Sequence, residues 1–218
     1  MKIKICGIKY LDNLQAIQAM QPDYLGFIFY NKSPRYMGYD LLPSELTNVS
    51  PNIKKTGVFV NESIEKVIEM VELYALNAIQ LHGDETVSYL KELLENLNVN
   101  GNGASVEIIK AFGVDEHFDF NKLNDYKQYC NYFLFDTKTP NYGGSGKKFQ
   151  WNLLEQYQLE VPIFLSGGID VEDLSDILNM NHPKIVAVDL NSKLEIEPGR
   201  KDLVKVKEAI ESVKNYGN

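Results

Sequence analysis

Tyr132-Phe133-Leu134-Phe135-Asp136, running on through Thr-Lys-Thr-Pro-Asn-Tyr-Gly-Gly-Ser-Gly to Gly146, puts an unbroken apolar run directly ahead of one carboxylate and a Gly-rich loop. Four aromatic or aliphatic residues without polar alternation describe a strand buried on both faces, as in parallel sheets covered by helices. Such strands open onto solvent at their carboxyl ends, where Asp136 falls. Pro140 and the glycines at 143, 144 and 146 disfavour continuation as strand or helix, so the segment reads as a connection able to fold over a ligand. Taken alone, Asp136 has two readings: a group in contact with chemistry, or a strand-end acid capping a turn.

Outward from this strand the same unit repeats. Lys2 to Cys6 reads as a strand and Leu11 to Met20 as its helix, with Leu14, Ile17 and Met20 at helical spacing. Tyr24 to Phe29 precedes a helix after Pro43. Lys55 to Val60 precedes a helix carrying Ile64, Val67, Ile68 and Val71, with Asn61 as its expected N-cap. Ala78 to Leu81 leads into Asp84 to Leu97, and Val106 to Phe112 into a weaker helix over Asn121 to Tyr129. Trp151 to Tyr157 follows the Tyr132 strand, Asp173 to Met180 follows Ile163 to Leu165, and Lys201 to Tyr216 follows Ile185 to Val188. About eight β-α pairs, with no linker and no shift in composition, predict a single (β/α)₈ barrel spanning residues 1–218. A doubly wound sheet is the alternative. The polar, Gly/Asn-rich stretch from Asn96 to Ser105 falls on the face opposite the expected site.

With 218 residues, 44% of them hydrophobic, the chain can bury a substantial core. A net charge of −8 and dispersed Lys and Arg residues argue against a nucleic-acid groove or an anionic membrane surface and favour a small-molecule partner. The opening Met1 to Gly7 lacks a signal peptide's apolar run, and no window resembles a membrane span, so a soluble cytoplasmic protein is expected. Cys6 and Cys130 lack metal-ligand spacing and the three histidines stand far apart, so no metal site is expected. Gly143 to Lys148 lacks the first glycine and the Ser/Thr of a P-loop. Gly101-Asn102-Gly103 has Val106 where a dinucleotide fingerprint needs glycine, so no nucleotide cofactor is expected.

In a barrel the informative positions are strand carboxyl ends, and these carry Cys6, Asn61, His82, Asp136, Ser166-Gly167-Gly168 and Asp189 with Asn191-Ser192. The loops after the seventh and eighth strands are where barrels often hold a phosphate, and Gly167 and Gly168 would let an anion approach the backbone. Each residue has a plainer reading as well. Gly167-Gly168 can simply turn, Cys6 can pack as a small hydrophobe, His82 can be a hydrogen-bonded strand end, and Arg35 can lie in solvent instead of clamping a carboxylate. Cys130, at a strand start, reads as structural.

In this order the residues resemble the phosphoribosylanthranilate isomerase family along nearly the whole chain. Lys4-Ile5-Cys6-Gly7-Ile8, Gly26-Phe27-Ile28-Phe29, Ser33-Pro34-Arg35-Tyr36 and Gly57-Val58-Phe59-Val60 carry the resemblance. So do Gln80-Leu81-His82-Gly83, Asp136 with Gly143-Gly144-Ser145-Gly146, Leu165-Ser166-Gly167-Gly168, and Pro198-Gly199 with Lys201-Asp202. The resemblance implies a cofactor-free Amadori rearrangement of N-(5-phosphoribosyl)anthranilate, a phosphorylated small molecule; sequence leaves monomer or homodimer open. It further implies Cys6 as general base, Asp136 as general acid, Arg35 facing the anthranilate carboxylate, and Gly167, Gly168, Asn191 and Ser192 around the phosphate; His82 is expected as a further binding residue from its strand-end placement. Family members commonly read Ser-Ser-Gly where this chain has Asn191-Ser192-Lys193, which removes a hydroxyl and a glycine and adds a cation. A thiolate base is scarce without help, since an ordinary cysteine is only about 3% ionised at pH 7. Lys4 alternates into the barrel in step with Cys6 but a layer lower, so it is not the expected source of that help. The related histidine-pathway isomerase would show two matching phosphate half-barrels, and no internal repeat is visible. An inactive, ligand-sensing barrel would not need Cys6 and Asp136 together.

Overall fold

The structure, a computed structural model, describes residues 1–38, 40–99, 106–137 and 150–216. Eight parallel strands close into a barrel in chain order: β1 Lys2–Cys6, β2 Tyr24–Ile28, β3 Lys54–Phe59, β4 Ala78–Leu81, β5 Glu107–Val114, β6 Tyr132–Thr137, β7 Ile163–Leu165 and β8 Ile185–Leu190. Pairing of β1 with β8 closes the ring, with Lys4 opposite Asp189. Alternation sorts each strand's side chains. On β6, Phe133 and Phe135 pack into the outer core against the surrounding layer, while Leu134 joins Tyr24, Ala78, Ile109, Ala111, Phe164 and Ala187 inside the barrel. The same alternation turns Asp136 inward at the carboxyl end.

Around the ring lie helices α1 Leu11–Ala19, α2 Pro43–Leu46, α3 Ile64–Tyr74, α4 Val87–Val99, α5 Leu174–Met180 and α6 Leu203–Lys214. The expected helices after β5 and β6 are instead short 3-10 segments, Phe120–Asp125 and Trp151–Gln156. Aromatic bulk does the covering there. Phe112, Phe118, Phe120, Tyr126 and Tyr157 join Phe133 and Phe135 in a run of ring contacts with centroids 5.0 to 6.5 Å apart. Large rings shield the two strands with few residues, so a full helix is not needed to exclude water.

Other boundaries also move. Asn61 does not cap α3: it adopts a left-handed conformation with φ +49°, and the Ser63 hydroxyl accepts from Lys66 N–H at 3.3 Å. The chain enters α4 at Val87 instead of Asp84. After β8 comes a hairpin that periodicity did not foreshadow, β9 Glu195–Glu197 and β10 Arg200–Lys201, turning at Gly199 with φ +89°. The Asn-Gly-Asn-Gly at 100–103 and the glycine loop at 143–146 lie outside the described residues.

Candidate active site

The last residue of β1, Cys6, is 3% exposed, and its sulfur packs against β2 where any side chain would collide: a Cβ on Gly26 would come within 2.7 Å of Sγ. The chain then turns at Gly7, φ +77°, whose added Cβ would lie 2.8 Å from Asn191 Oδ1 and 3.0 Å from Arg35 Cδ. Gly26 and Gly7 thus let the first strand, the loop after β2 and the loop after β8 converge on the thiol. Asp136 enters from β6. Its Oδ1 accepts from Thr137 N–H at 2.8 Å, and its Oδ2 lies 3.4 Å from His82 Nε2. Gln80, two residues before His82 and on the same inner face of β4, places Nε2 2.8 Å from His82 Nδ1. With the amide donating, the imidazole keeps its proton on Nε2, toward Asp136. Glu85 fixes the backbone beside His82, accepting from the N–H groups of Asn61 and Gly83, and the buried Lys110 ammonium bonds Glu85 at 3.0 Å and the Gly83 carbonyl at 2.8 Å.

One layer below Cys6, Lys4 is fully buried and donates to Asp189 Oδ1 at 2.8 Å. Burial alone would depress the Lys4 pKa, but Asp189 and the Cys6 sulfur outweigh it and the ammonium is held above its ordinary value. Burial pushes the Cys6 thiol up; Lys4 and Lys201 pull it back down and Asp189 opposes them. Burial likewise raises Asp189, against the pull of Lys4. Lys4 does occupy the lower layer, as alternation requires, and its charge acts on the sulfur against burial, which still leaves the thiol above its ordinary value.

A second buried network lies above. Arg35 reaches Glu195 with Nε at 2.9 Å from both carboxylate oxygens and Nη2 at 2.7 Å from Oε2. Glu195 Oε1 also accepts from Lys201 Nζ at 2.8 Å and Gly199 N–H at 3.0 Å. Burial resists ionisation of Glu195, but its hydrogen bonds with Arg35 and the Lys201 charge win, and its carboxyl sits below the usual range. Lys201 has less compensation: burial drives it down to about 8 despite Glu195. Lys201 also donates to the Asn191 side chain at 2.7 Å and its carbonyl at 3.2 Å. Arg35 is therefore not in solvent. Two of its three nitrogens are engaged, leaving Nη1 without a hydrogen-bond partner among the described residues.

In the loop after β7, Gly167 and Gly168 both take left-handed conformations, φ +100° and +65°. After β8, Ser192 opens a 3-10 turn to Leu194, while the Asn191 carboxamide oxygen is turned inward to Lys201 and Gly7. Of the residues singled out from sequence, Cys6, Arg35 and Asn191 converge around Gly7, and His82 with Asp136 form a second pair. Glu195, Lys201, Gln80 and Lys4 were missed as site residues, and Asp189 was placed at its strand end without a role. Lys4 carried a signal all the same, a cation in phase with Cys6 on the inward face of an apolar strand.

Barrels of this architecture work at the carboxyl ends of their strands, and the thiol, carboxyls and imidazole gathered there define a (β/α)₈-barrel enzyme of the acid–base class. Comparison with known proteins narrows that class. Residues 3–212 match the family described as N-(5'phosphoribosyl)anthranilate (PRA) isomerase. The chain is 40% identical over 216 residues to the N-(5'-phosphoribosyl)anthranilate isomerase of Parabacteroides distasonis, covering 98% of this chain and 93% of that protein. The crystal structure of phosphoribosyl anthranilate isomerase from Thermotoga maritima superposes with a TM-score of 0.81 at 33% identity, covering 99% of each chain. A structure of phosphoribosyl anthranilate isomerase in complex with reduced 1-(o-carboxyphenylamino)-1-deoxyribulose 5-phosphate gives a TM-score of 0.77 at 29% identity, again over 99% of each chain. The chain belongs to the phosphoribosylanthranilate isomerase family. Among the described residues no helix is long and apolar enough to cross a membrane.

Proposed function

We propose that this chain isomerises N-(5-phosphoribosyl)anthranilate to 1-(2-carboxyphenylamino)-1-deoxyribulose 5-phosphate in tryptophan biosynthesis, with Cys6 as base and Asp136 as acid. The observation that carries the reading is the pair itself: a buried thiol and a buried carboxyl entering one barrel mouth from β1 and β6, each with its own polar support. Asp136 gives its proton to the ring oxygen as the C1–O bond breaks, and the anthranilate nitrogen's lone pair forms a protonated Schiff base. The Cys6 thiolate takes the proton from C2; the C–H pair becomes the C1–C2 double bond and the Schiff-base pair returns to nitrogen, giving an enolamine. Tautomerisation moves a proton from the C2 hydroxyl to C1 and leaves the ketone. The reaction is redox-neutral and releases nothing, so it requires no cofactor.

In this reading His82 orients the Asp136 carboxyl through Nε2, and Arg35, gripped by Glu195, offers its Nη1 edge to the anthranilate carboxylate. Gly167, Gly168 and Ser192 receive the phosphate, whereas Asn191 acts from behind by holding Lys201. Turnover of N-(5-phosphoribosyl)anthranilate by the purified protein tests the activity. Cys6→Ser and Asp136→Asn should each lower kcat by about 10² to 10⁴-fold with the circular dichroism spectrum unchanged. A folded variant of either kind turning over at the wild-type rate refutes the assignment.

A further inference from the structure

We infer that Lys4, anchored by Asp189, is a positioning residue that sets the ionisation of Cys6 from inside the barrel. The inference rests on the reading of Cys6 as the base. Lys4 is 0% exposed and points, in step with Cys6, into a barrel interior where, at that depth and besides its partner Asp189, the buried side chains are apolar, aromatic or uncharged, Thr56 and Gln80 among them. An isolated ammonium there is costly, and Lys4 is kept in place by one anion, Asp189, its neighbour in the β1–β8 register at 2.8 Å. The pair is not needed to close the ring. β1 and β8 are already joined through four backbone register positions, from Lys2 to Ile5, and a matched apolar pair would fill the same space without a desolvation cost.

What the ion pair does that an apolar pair could not is hold a positive charge beneath the thiol. The charged groups that act on Cys6 are Lys4 from β1, Asp189 from β8 and Lys201 from β10, while β2 and β3 face it with Gly26, Ile28 and Val58. Asp136 and His82, across the mouth, act in turn on Asp189. Two cations thus favour the thiolate and one anion opposes it. Lys4 cannot swing toward solvent, and it cannot be neutralised easily while Asp189 holds it, so the field at the sulfur is fixed before substrate arrives.

This arrangement makes the two halves of one ion pair act on the thiol with opposite sign. Lys4→Met removes the helping charge and leaves the opposing anion; Asp189→Asn removes the anion and leaves the ammonium with Cys6 as a candidate counter-ion. A merely structural pair would give the same effect from either side. The test is an NMR titration of Cys6 in full-length protein carrying isotope-labelled cysteine, following the Cβ shift with Cys130→Ser as background. It needs neither reagent access nor turnover. Lys4→Met is expected to lower the thiolate fraction at neutral pH by about tenfold or more, and Asp189→Asn to raise it. In parallel, the kcat/KM of Lys4→Met should fall at neutral pH and recover as pH rises. If Lys4→Met fails to fold, the double variant Lys4→Met/Asp189→Asn, which removes both charges together, takes its place. Its thiolate fraction should be lower than that of Asp189→Asn alone. Shifts of the same sign in the two single variants, or no shift in either, overturn the proposal. If the thiol titrates as expected but Cys6→Ser remains fully active, the reading of Cys6 as base fails while the electrostatic claim stands.

Discussion

Glu195→Gln is the substitution with the sharpest expected consequence, because one carboxylate serves two buried cations. Its oxygens take five hydrogen bonds: three from Arg35, one from Lys201 and one from Gly199. Glutamine keeps the shape but has one acceptor oxygen and no charge. If that oxygen stays with Lys201 and Gly199, the amide NH₂ faces the Arg35 fork, donor against donor. Removing one partner of a buried ion pair costs about 3 to 5 kcal/mol. Arg35 is 11% exposed and Glu195 5% exposed at the side chain, so some water relief is available and the low end, about 3 kcal/mol, applies. Urea denaturation of wild type and variant reads this as a lowered midpoint at constant slope. The sign with pH follows from linkage. The Glu195 carboxyl lies below its ordinary value of 4.5, so as pH falls the unfolded chain takes up the proton first. The wild type then loses its advantage as pH falls through the folded value, and the stability gap to the variant closes in acid. In turnover, a loosened Arg35 should raise KM, with kcat/KM falling by about 10 to 100-fold, the equivalent of the 1.5 to 3 kcal/mol of a charged hydrogen bond. A stability loss below about 1 kcal/mol with unchanged KM refutes the idea that Glu195 aims Arg35.

Arg35→Lys should raise KM more than it lowers kcat, since an ammonium cannot grip Glu195 and a substrate carboxylate in one plane; unaltered Michaelis parameters would remove Arg35 from the site. Lys201, held down to about 8 from 10.5, is destabilising while charged, and the unfolded chain binds its proton more tightly than the folded one. Stability relative to Lys201→Met should therefore rise with pH between those values, by up to about 3 kcal/mol, and a flat difference in pH-dependent denaturation would contradict the burial argument. Lys193→Gly should weaken binding of the phosphorylated substrate, with the deficit shrinking at high salt; equal affinity at low salt would place the Lys193 charge away from the phosphate.

The barrel was legible because its signal is repetitive. Eight apolar runs, each ending in polar or glycine residues, survive errors in any one helix, and the strand bounds from sequence fall within two residues of the structure throughout. The helices after β5 and β6 were misread because helical periodicity does not register that aromatic rings can cover a strand from a short 3-10 turn. Cys6, Asp136, Arg35 and His82 could be picked out because strand ends in a barrel are a short list of positions. Glu195 could not, because its importance depends on a hairpin that returns the chain over the mouth, bringing together Arg35 and a residue 160 positions away. Alternation puts Lys4 a layer below Cys6, but the layer does not decide its influence, since charge acts at a distance in a barrel interior where packed side chains screen it weakly.

The mouth is therefore built on buried ions, Lys4 with Asp189 below and Arg35 and Lys201 with Glu195 above, and Cys6 lies where both sets act. Buried ion pairs are weak evidence for stability, because desolvation consumes most of their attraction. A chain selected for stability alone would fill these positions with leucine and valine, as it has filled the outer core. Apart from the Lys110–Glu85 pair beside β4 and β5, these ions join β1 to β8 and the hairpin to the barrel mouth, and their effect falls on two groups. One set keeps positive charge beside a thiol whose ionisation burial opposes; the other engages two nitrogens of an arginine and leaves the third, unpartnered among the described residues, free to be aimed. Burial raises the thiol and the flanking ammonium groups oppose it, so the ionisation of Cys6 depends on where Lys4, Asp189 and Lys201 are held. These buried ammonium groups are held by polar partners, Lys4 by Asp189 and Lys201 by Glu195 and Asn191, while the charges of the outer helices, such as Lys66 with Glu69 or Lys207 with Glu211, pair at the surface.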